Sequence, residues 1–207
     1  GKLDELYMSP AQIKPKILSL IQNEARKGKD GQIIAKVNSL VDDDVIRALY
    51  KASQAGVKID LIVRGICCLK PGIKDVSDNI RVISILGKYL EHPRVFYFKN
   101  DKEGVYISSA DWMPRNLMRR IELLTAIKDE DSKTKILQIL NLQIADNCLA
   151  HELQSDGSYK KVERQEGEKI INNHKMLEDH VNRVMKAVQK ESVSSAEMLA
   201  TRLFLES

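Results

Sequence analysis

The sequence predicts an α/β domain: a mixed central sheet flanked by helices, with a helical C-terminal extension. Three observations carry that expectation. Ile33–Val37 and Lys58–Val63 are short apolar runs rich in β-branched residues, separated by a helix-patterned stretch from Val45 to Ala55 that Gly56 closes. Ahead of this strand-helix-strand unit, Leu6–Met8 reads as a strand and Pro10 to Lys27 as a helix, so the first strand pair also has a crossover helix. Beyond it, Ile80–Ile85, Arg94–Phe98, Val105–Ser109 and Arg119–Ile127 add strands, two of them flanking the charged turn Lys99 to Gly104.

Each element follows from its residues. Ser9 is placed to cap the first helix and Pro10 to open it, with Ile13, Ile17, Leu20 and Ile21 on one face and Gly28 at the end. In Ile33-Ile-Ala-Lys-Val-Asn, alternation sends Lys36 and Asn38 to one side and Ala35 and Val37 to the other. A lysine in a mostly buried strand calls for a reason. Asp42 to Asp44 fall where unpaired N–H groups and the helix dipole favour negative charge, and they read as capping, since a metal would need more converging ligands. Downstream come a turn-rich connection from Pro71-Gly72 to Asn79, a short helical turn near Leu86 to Leu90, a helix from Asp129 to Asp146 and a turn at Asp156-Gly157. From Glu168 to Glu191 the pattern is helical, with Ile170, Ile171, Met176, Leu177, Val181 and Val184 as its apolar members. One domain over residues 1–190 accounts for all this, leaving 191–207 as a tail or short helix.

Composition narrows the class. A chain of 207 residues buries a substantial core as one domain, and 33 Lys and Arg against 29 Asp and Glu is a mild basic excess, unlike the charge blocks of chains that wrap nucleic acid. Cys67, Cys68 and Cys148 match neither a disulfide framework nor a metal-ligand spacing, as expected of a reduced, intracellular chain. No apolar run approaches the roughly 20 residues that span a bilayer. The start, Gly1-Lys-Leu-Asp-Glu-Leu, lacks the apolar core of a signal peptide, so any membrane contact would be peripheral. Without an initiator Met, and with a strand almost at once, the chain reads as a piece of a longer protein.

The residues that bear chemistry begin with Arg64. It ends the buried run Ile59-Asp-Leu-Ile-Val and precedes Gly65, and open α/β sheets bind ligands outside the carboxyl ends of their strands. A guanidinium there, beside a glycine that admits close backbone approach, points to phosphate. His92, in Glu91-His-Pro-Arg94, reads either as a surface histidine or as a functional one. The segment Ser108-Ser-Ala-Asp-Trp-Met-Pro-Arg-Asn116 reads as a capped turn or as donors presented at a strand end. Arg120 and Glu122 alternate with Ile121 and Leu123 on one strand face, as an ion pair or as site residues. Together, Arg64, His92 and Glu122 are the residue types of phosphoryl transfer: an imidazole that attacks phosphorus or donates a hydrogen bond, a carboxylate that orients the imidazole, and a guanidinium that neutralises charge on the equatorial oxygens. No GxxxxGK[ST] loop is present, which excludes a P-loop enzyme. His92-x-Arg94 followed by Ser108-Ser109 and Asn116 is similar to a weakened phospholipase D motif, of which only one half is found; His151, His174 and His180 read as bland residues of a helical C-terminal part.

Longer runs carry a closer likeness. Lys36-Val-Asn-Ser-Leu-Val-Asp, Ala52-Ser-Gln-Ala-Gly-Val-Lys-Ile-Asp-Leu-Ile-Val-Arg-Gly-Ile-Cys-Cys-Leu-Lys-Pro-Gly, Ser77-Asp-Asn-Ile-Arg-Val, Tyr89-Leu-Glu-His-Pro-Arg-Val and Ser108-Ser-Ala-Asp-Trp-Met-Pro-Arg-Asn-Leu resemble the C-terminal region of the bacterial polyphosphate kinases of phospholipase D-like type. The resemblance runs from about Tyr7 to Val184 and implies a phospholipase D-like domain, the C-terminal half of an ATP:polyphosphate phosphotransferase. It implies reversible transfer through a phosphohistidine on a preceding domain of the same polypeptide, with magnesium whose ligands lie outside this chain, and no kinase activity in this fragment alone. Arg64 matches the family's nucleotide-phosphate arginine and His92 its second active-site histidine, with Glu122 as the carboxylate beside that histidine. Strand-face geometry adds Lys36, Asn38 and Arg120 as weaker phosphate-binding candidates. The implied partners are ATP or ADP and inorganic polyphosphate, in a homo-oligomeric, cytoplasmic full-length enzyme that could lie peripherally on the inner membrane, with no nucleic acid. Two rival readings stand: a phospholipase D-type phosphodiesterase or nuclease pairing His92 across a dimer, and a non-enzymatic polyanion-binding module.

Overall fold

The computed structural model of the chain describes residues 6–205, with residues 190–205 as backbone. Residues 1–5, on which the reading of the amino-terminal start rests, and residues 206 and 207 of the expected tail lie outside the described residues.

A parallel unit forms the centre of the sheet, because the buried, β-branched runs β2 (Gln32–Val37), β3 (Lys58–Val63) and β4 (Ile80–Ile85) carry apolar side chains on both faces. β2 and β3 pair in parallel from Gln32 opposite Lys58 to Val37 opposite Val63, joined by α2 (Asp43–Gln54), as the strand-helix-strand reading requires. Asp42 caps that helix by accepting from Val45 N at 3.2 Å, and Lys14 bridges Asp42 and Asp44 at 2.9 and 2.8 Å, which confirms the acidic run as a cap. On one side of the centre stand the antiparallel strands β5 (Arg94–Phe98), β6 (Val105–Ser108) and β7 (Leu123–Ala126), with β1 (Leu6–Met8) beyond them. On the other, β4 pairs with β8 (Ala150–Leu153) and then β9 (Tyr159–Lys161), a hairpin built around the predicted Asp156-Gly157 turn. Among the described residues the sheet has nine strands in the order β1-β7-β6-β5-β2-β3-β4-β8-β9.

Helices cover the two faces unequally. α1 (Ile13–Lys27) and α2 pack Ile13, Ile17, Leu20, Ile21, Val45 and Leu49 on the face that presents Ala35, Leu61 and Val82. α4 (Glu130–Ile144) places Leu140 on the opposite face against Ile34, Ile62 and Ile83. The short α3 (Pro114–Met118) precedes β7, and α5 (Asn173–Leu205) closes the described chain.

Several expectations change here. β1 is not the neighbour of β2: three strands lie between them, and β1 pairs with β7, Leu6 opposite Thr125. Ser9 does not cap α1, which starts at Ile13; its hydroxyl is held by Arg120 O at 2.5 Å and by Glu122 N at 2.9 Å. Leu86 to Leu90 bends without forming a helical turn, and Ile170 and Ile171 precede α5. The predicted strand from Arg119 is ordered as a strand only at Leu123–Ala126, because α3 ends at Met118 and residues 119–122 form the link. His151 lies on β8, not in a helical part. Backbone of α5 runs through the expected boundary at residues 190 and 191. Among the described residues no helix is long and apolar enough to cross a membrane.

Candidate active site at one edge of the sheet

Strand direction decides which side chains meet. β2, β3 and β4 end at one edge, and because β5 runs antiparallel to β2, with Val95 opposite Lys36, its start at Arg94 lies at that same edge. β6 returns there, Ser108 opposite Arg94, and delivers Asp111 three residues later. Trp112 O accepts from Val41 N at 2.8 Å and Asp42 N at 2.9 Å, which docks the Asp111 loop on the extension of β2.

A chain of charge-assisted contacts crosses this edge. Arg64 donates Nε and Nη2 to Asn38 Oδ1 at 3.0 and 2.9 Å. Asn38 is fixed in turn by Asp111 Oδ1, which accepts from Asn38 N at 2.7 Å and Ser39 N at 3.2 Å. Arg94 closes on the same carboxylate, Nε to Oδ1 at 3.2 Å and Nη2 to Oδ2 at 2.8 Å, in a fork geometry. Its remaining nitrogen, Nη1, meets His92 at Nδ1 at 2.9 Å and at the carbonyl at 3.0 Å. A guanidinium only donates, so Nδ1 is the acceptor and the proton of the neutral ring stands on Nε2. His92 therefore presents an N–H donor. Burial alone would raise the pKa of Asp111, but the Arg94 hydrogen bonds and the N–H groups of Asn38 and Ser39 outweigh it and hold the carboxyl below its ordinary range.

Of the predicted residues, Arg64, Asn38 and His92 come together through this chain. Asn38 acts as a brace: its oxygen aims Arg64, leaving Nη1 of that guanidinium without a hydrogen bond among the described residues. Gly65 is used differently from the expectation, since a side chain there would stand 2.8 Å from Asn38 O; close approach serves the β2 backbone, to which Gly65 N donates at 2.7 Å.

Three predicted residues are placed elsewhere. Glu122 does not orient His92: its Oε1 accepts from Asn116 Nδ2 at 2.7 Å and its Oε2 from Ser109 Oγ at 2.5 Å, so it organises the loop between β6 and β7. Arg120 shares no strand face with Glu122; it is exposed in the link before β7. Lys36 faces inward and pairs with Glu91, donating also to Gln143 Oε1 at 3.0 Å. Burial, with a contribution from Arg64, brings the Lys36 ammonium down to about 8, which leaves it charged at neutral pH. Beside it lies a mostly apolar cavity of about 470 Å³, walled by Lys36, His92, Pro93, Ile136, Leu140 and Leu177.

The reading from sequence missed Asp111, the hub of the chain, and the pairing role of Arg94. A carboxylate among the small and aromatic residues after β6 was the available signal for Asp111; nothing local signalled that Glu91 and His174 meet. Magnesium, implied by the resemblance, finds no fit here. Asp111 and Glu122 have both oxygens engaged, and among the described residues no three His, Cys, Asp or Glu side chains converge as metal ligands.

The mixed sheet, with helices on both faces, has the fold of the phospholipase D-like proteins. The phospholipase D family member Nuc from Salmonella typhimurium shares that fold, with a TM-score of 0.51 at 16% identity over 66% of this chain and 90% of its own. The chain belongs to the polyphosphate kinase C-terminal domain 2 family, which matches residues 6–174. It is 55% identical to the polyphosphate kinase of Campylobacter jejuni over 206 residues, 99% of this chain and 29% of that protein. The crystal structure of polyphosphate kinase from Porphyromonas gingivalis superposes with a TM-score of 0.82 at 37% identity, over 88% of this chain and 28% of that one. The chain thus spans under a third of the length of the curated relatives it matches.

Proposed function

We propose that the chain is the C-terminal catalytic part of an ATP:polyphosphate phosphotransferase, which moves the terminal phosphate of ATP reversibly onto inorganic polyphosphate. The observation that carries this is Arg64, pinned through two nitrogens by Asn38 and with no hydrogen bond at its third among the described residues, on an edge shared with the Nε2–H donor of His92. Both groups neutralise or donate to phosphoryl oxygens, and in phosphoryl transfer such positioned charge supplies most of the catalysis. His92 acts as a donor to the transferring group, because Arg94 occupies its Nδ1. Asn38, Asp111 and Arg94 hold the two in register; Glu122 shapes the neighbouring loop. The phosphorylated histidine, and magnesium with its ligands, would come from the part of the relatives' length that this chain does not span. We place the full-length enzyme in the cytoplasm as a homo-oligomer, with any membrane contact peripheral.

Arg64→Ala and His92→Ala in the full-length enzyme are expected to lower polyphosphate synthesis by on the order of 10³-fold with the fold intact. Near-normal turnover in either variant would sink the assignment.

A further inference from the structure

Glu91, the residue before His92, is gripped by side chains from three separate elements. Its Oε2 accepts from Lys36 Nζ of β2 and from Gln143 Nε2 of α4, the latter at 2.5 Å, and its Oε1 lies 2.7 Å from His174 Nε2 in the first turn of α5. Lys36 and Gln143 are also bonded to each other, so ammonium, amide and carboxylate close a ring. His174 touches the same loop a second time. The N–H of Tyr89 points at its Nδ1 from 3.5 Å, and the two rings are 5.4 Å apart. A backbone N–H only donates, so Nδ1 is the acceptor and Nε2 carries the proton given to Glu91.

The fit is close enough to dictate a glycine. A side chain at Gly87 would stand 2.6 Å from His174 Nδ1 and 2.8 Å from Leu149 Cδ1, so the loop can lie on this imidazole only because position 87 has none. His174 and Lys36 are 5% and 7% exposed. Burial lowers the pKa of His174, and Lys36 adds to this against the opposing pull of Asp146, which favours the neutral ring that the geometry requires. Residues 86–93 form neither helix nor strand, and His92 is exposed on that loop; its position depends on what grips the loop.

We propose that Glu91 and His174 are positioning residues for the phosphoryl transfer, a partly buried clamp that sets the height of the His92 loop against Arg64 and ties it to the start of α5. The proposal rests on the reading of His92 as donor to the transferring phosphate. A displacement of about 1 Å at such a group lowers rate by about 10²-fold, and a clamp that acts only on position changes kcat and leaves ground-state nucleotide binding alone.

The test uses the full-length enzyme with Glu91→Gln, His174→Leu, their double variant, and His174→Gln, whose amide keeps a donor toward Glu91. Glu91→Gln and His174→Leu are each expected to lower kcat by about 10²-fold with KM for ATP within about two-fold, an unchanged KM reporting an intact site. The double variant should be no slower than the slower single one, because both break one clamp. His174→Gln should stay within about three-fold of the wild type. The clamp is refuted if Glu91→Gln turns over normally, if the two single losses multiply in the double variant, or if His174→Gln falls as far as His174→Leu. A normal Glu91→Gln enzyme beside an inactive His92→Ala enzyme overturns the clamp alone; a normal His92→Ala enzyme overturns the reading beneath it.

Discussion

Asp111 shows how one carboxylate organises a basic edge. Its two oxygens serve Arg94, Asn38 and Ser39, so Arg64 and His92, which share no hydrogen bond, are held in a common frame. Asp111→Asn keeps the shape but sets an amide against a guanidinium whose side chain is 12% exposed. Breaking a buried pair in this way destabilises by about 3 kcal/mol, roughly 6–12 °C in Tm for a domain of this size. The pH dependence has a definite sign. The folded pKa of Asp111 lies below its unfolded value of about 3.9, so the native state binds fewer protons. Its contribution is full above that unfolded value and is lost as pH falls through the folded one. Melting scans from pH 6 down to pH 3 should therefore show the gap between wild type and Asp111→Asn narrowing with acid; a constant gap would contradict the assigned role.

At the scale of elements, Asp146 joins three that the sequence leaves separate. From the end of α4 its Oδ1 accepts from Cys148, Leu149 and Ala150 N at 2.9, 2.6 and 3.1 Å, which starts β8. Its Oδ2 accepts from Asn173 N at 2.8 Å and Nδ2 at 2.6 Å, which starts α5. Asp146→Ala would strand these donors in a buried site, at a loss of at least about 3 kcal/mol. Hydrogen exchange should then accelerate at 148–153 and 173–178 before it does in β2 and β3; uniform acceleration across the sheet would show that Asp146 is no local tie. Local pattern made α1, α2 and the β2–α2–β3 unit legible, because periodicity and capping are decided within a few residues. It misplaced the element after α3 for the same reason. Arg119-Arg-Ile-Glu alternates like a strand, yet Glu122 turns back to Asn116 and Ser109 before pairing with β6 begins at Leu124.

For the whole molecule, the proposed function makes this edge one wall of a reaction site: it would supply a guanidinium and an imidazole N–H, while Nδ1 of that imidazole is already engaged. The 207-residue chain incubated alone with γ-labelled ATP is accordingly expected to form no phosphohistidine. Label on His92 would overturn the proposed division of labour between this chain and the part of its relatives that it does not span. What the sequence by itself determined is the alternation of layers, the cap of α2, and an arginine at the end of a buried strand, since each depends on neighbours along the chain. Only the tertiary structure decided which donor each carboxylate meets. Arg94 finds Asp111, Lys36 finds Glu91 across 55 positions, and His174 finds Glu91 across 83. Those pairings follow from strand order, with β5 set antiparallel beside β2 and α5 returned to the β4–β5 loop. Strand order is settled by the burial of whole faces against one another, and no stretch of local pattern contains it.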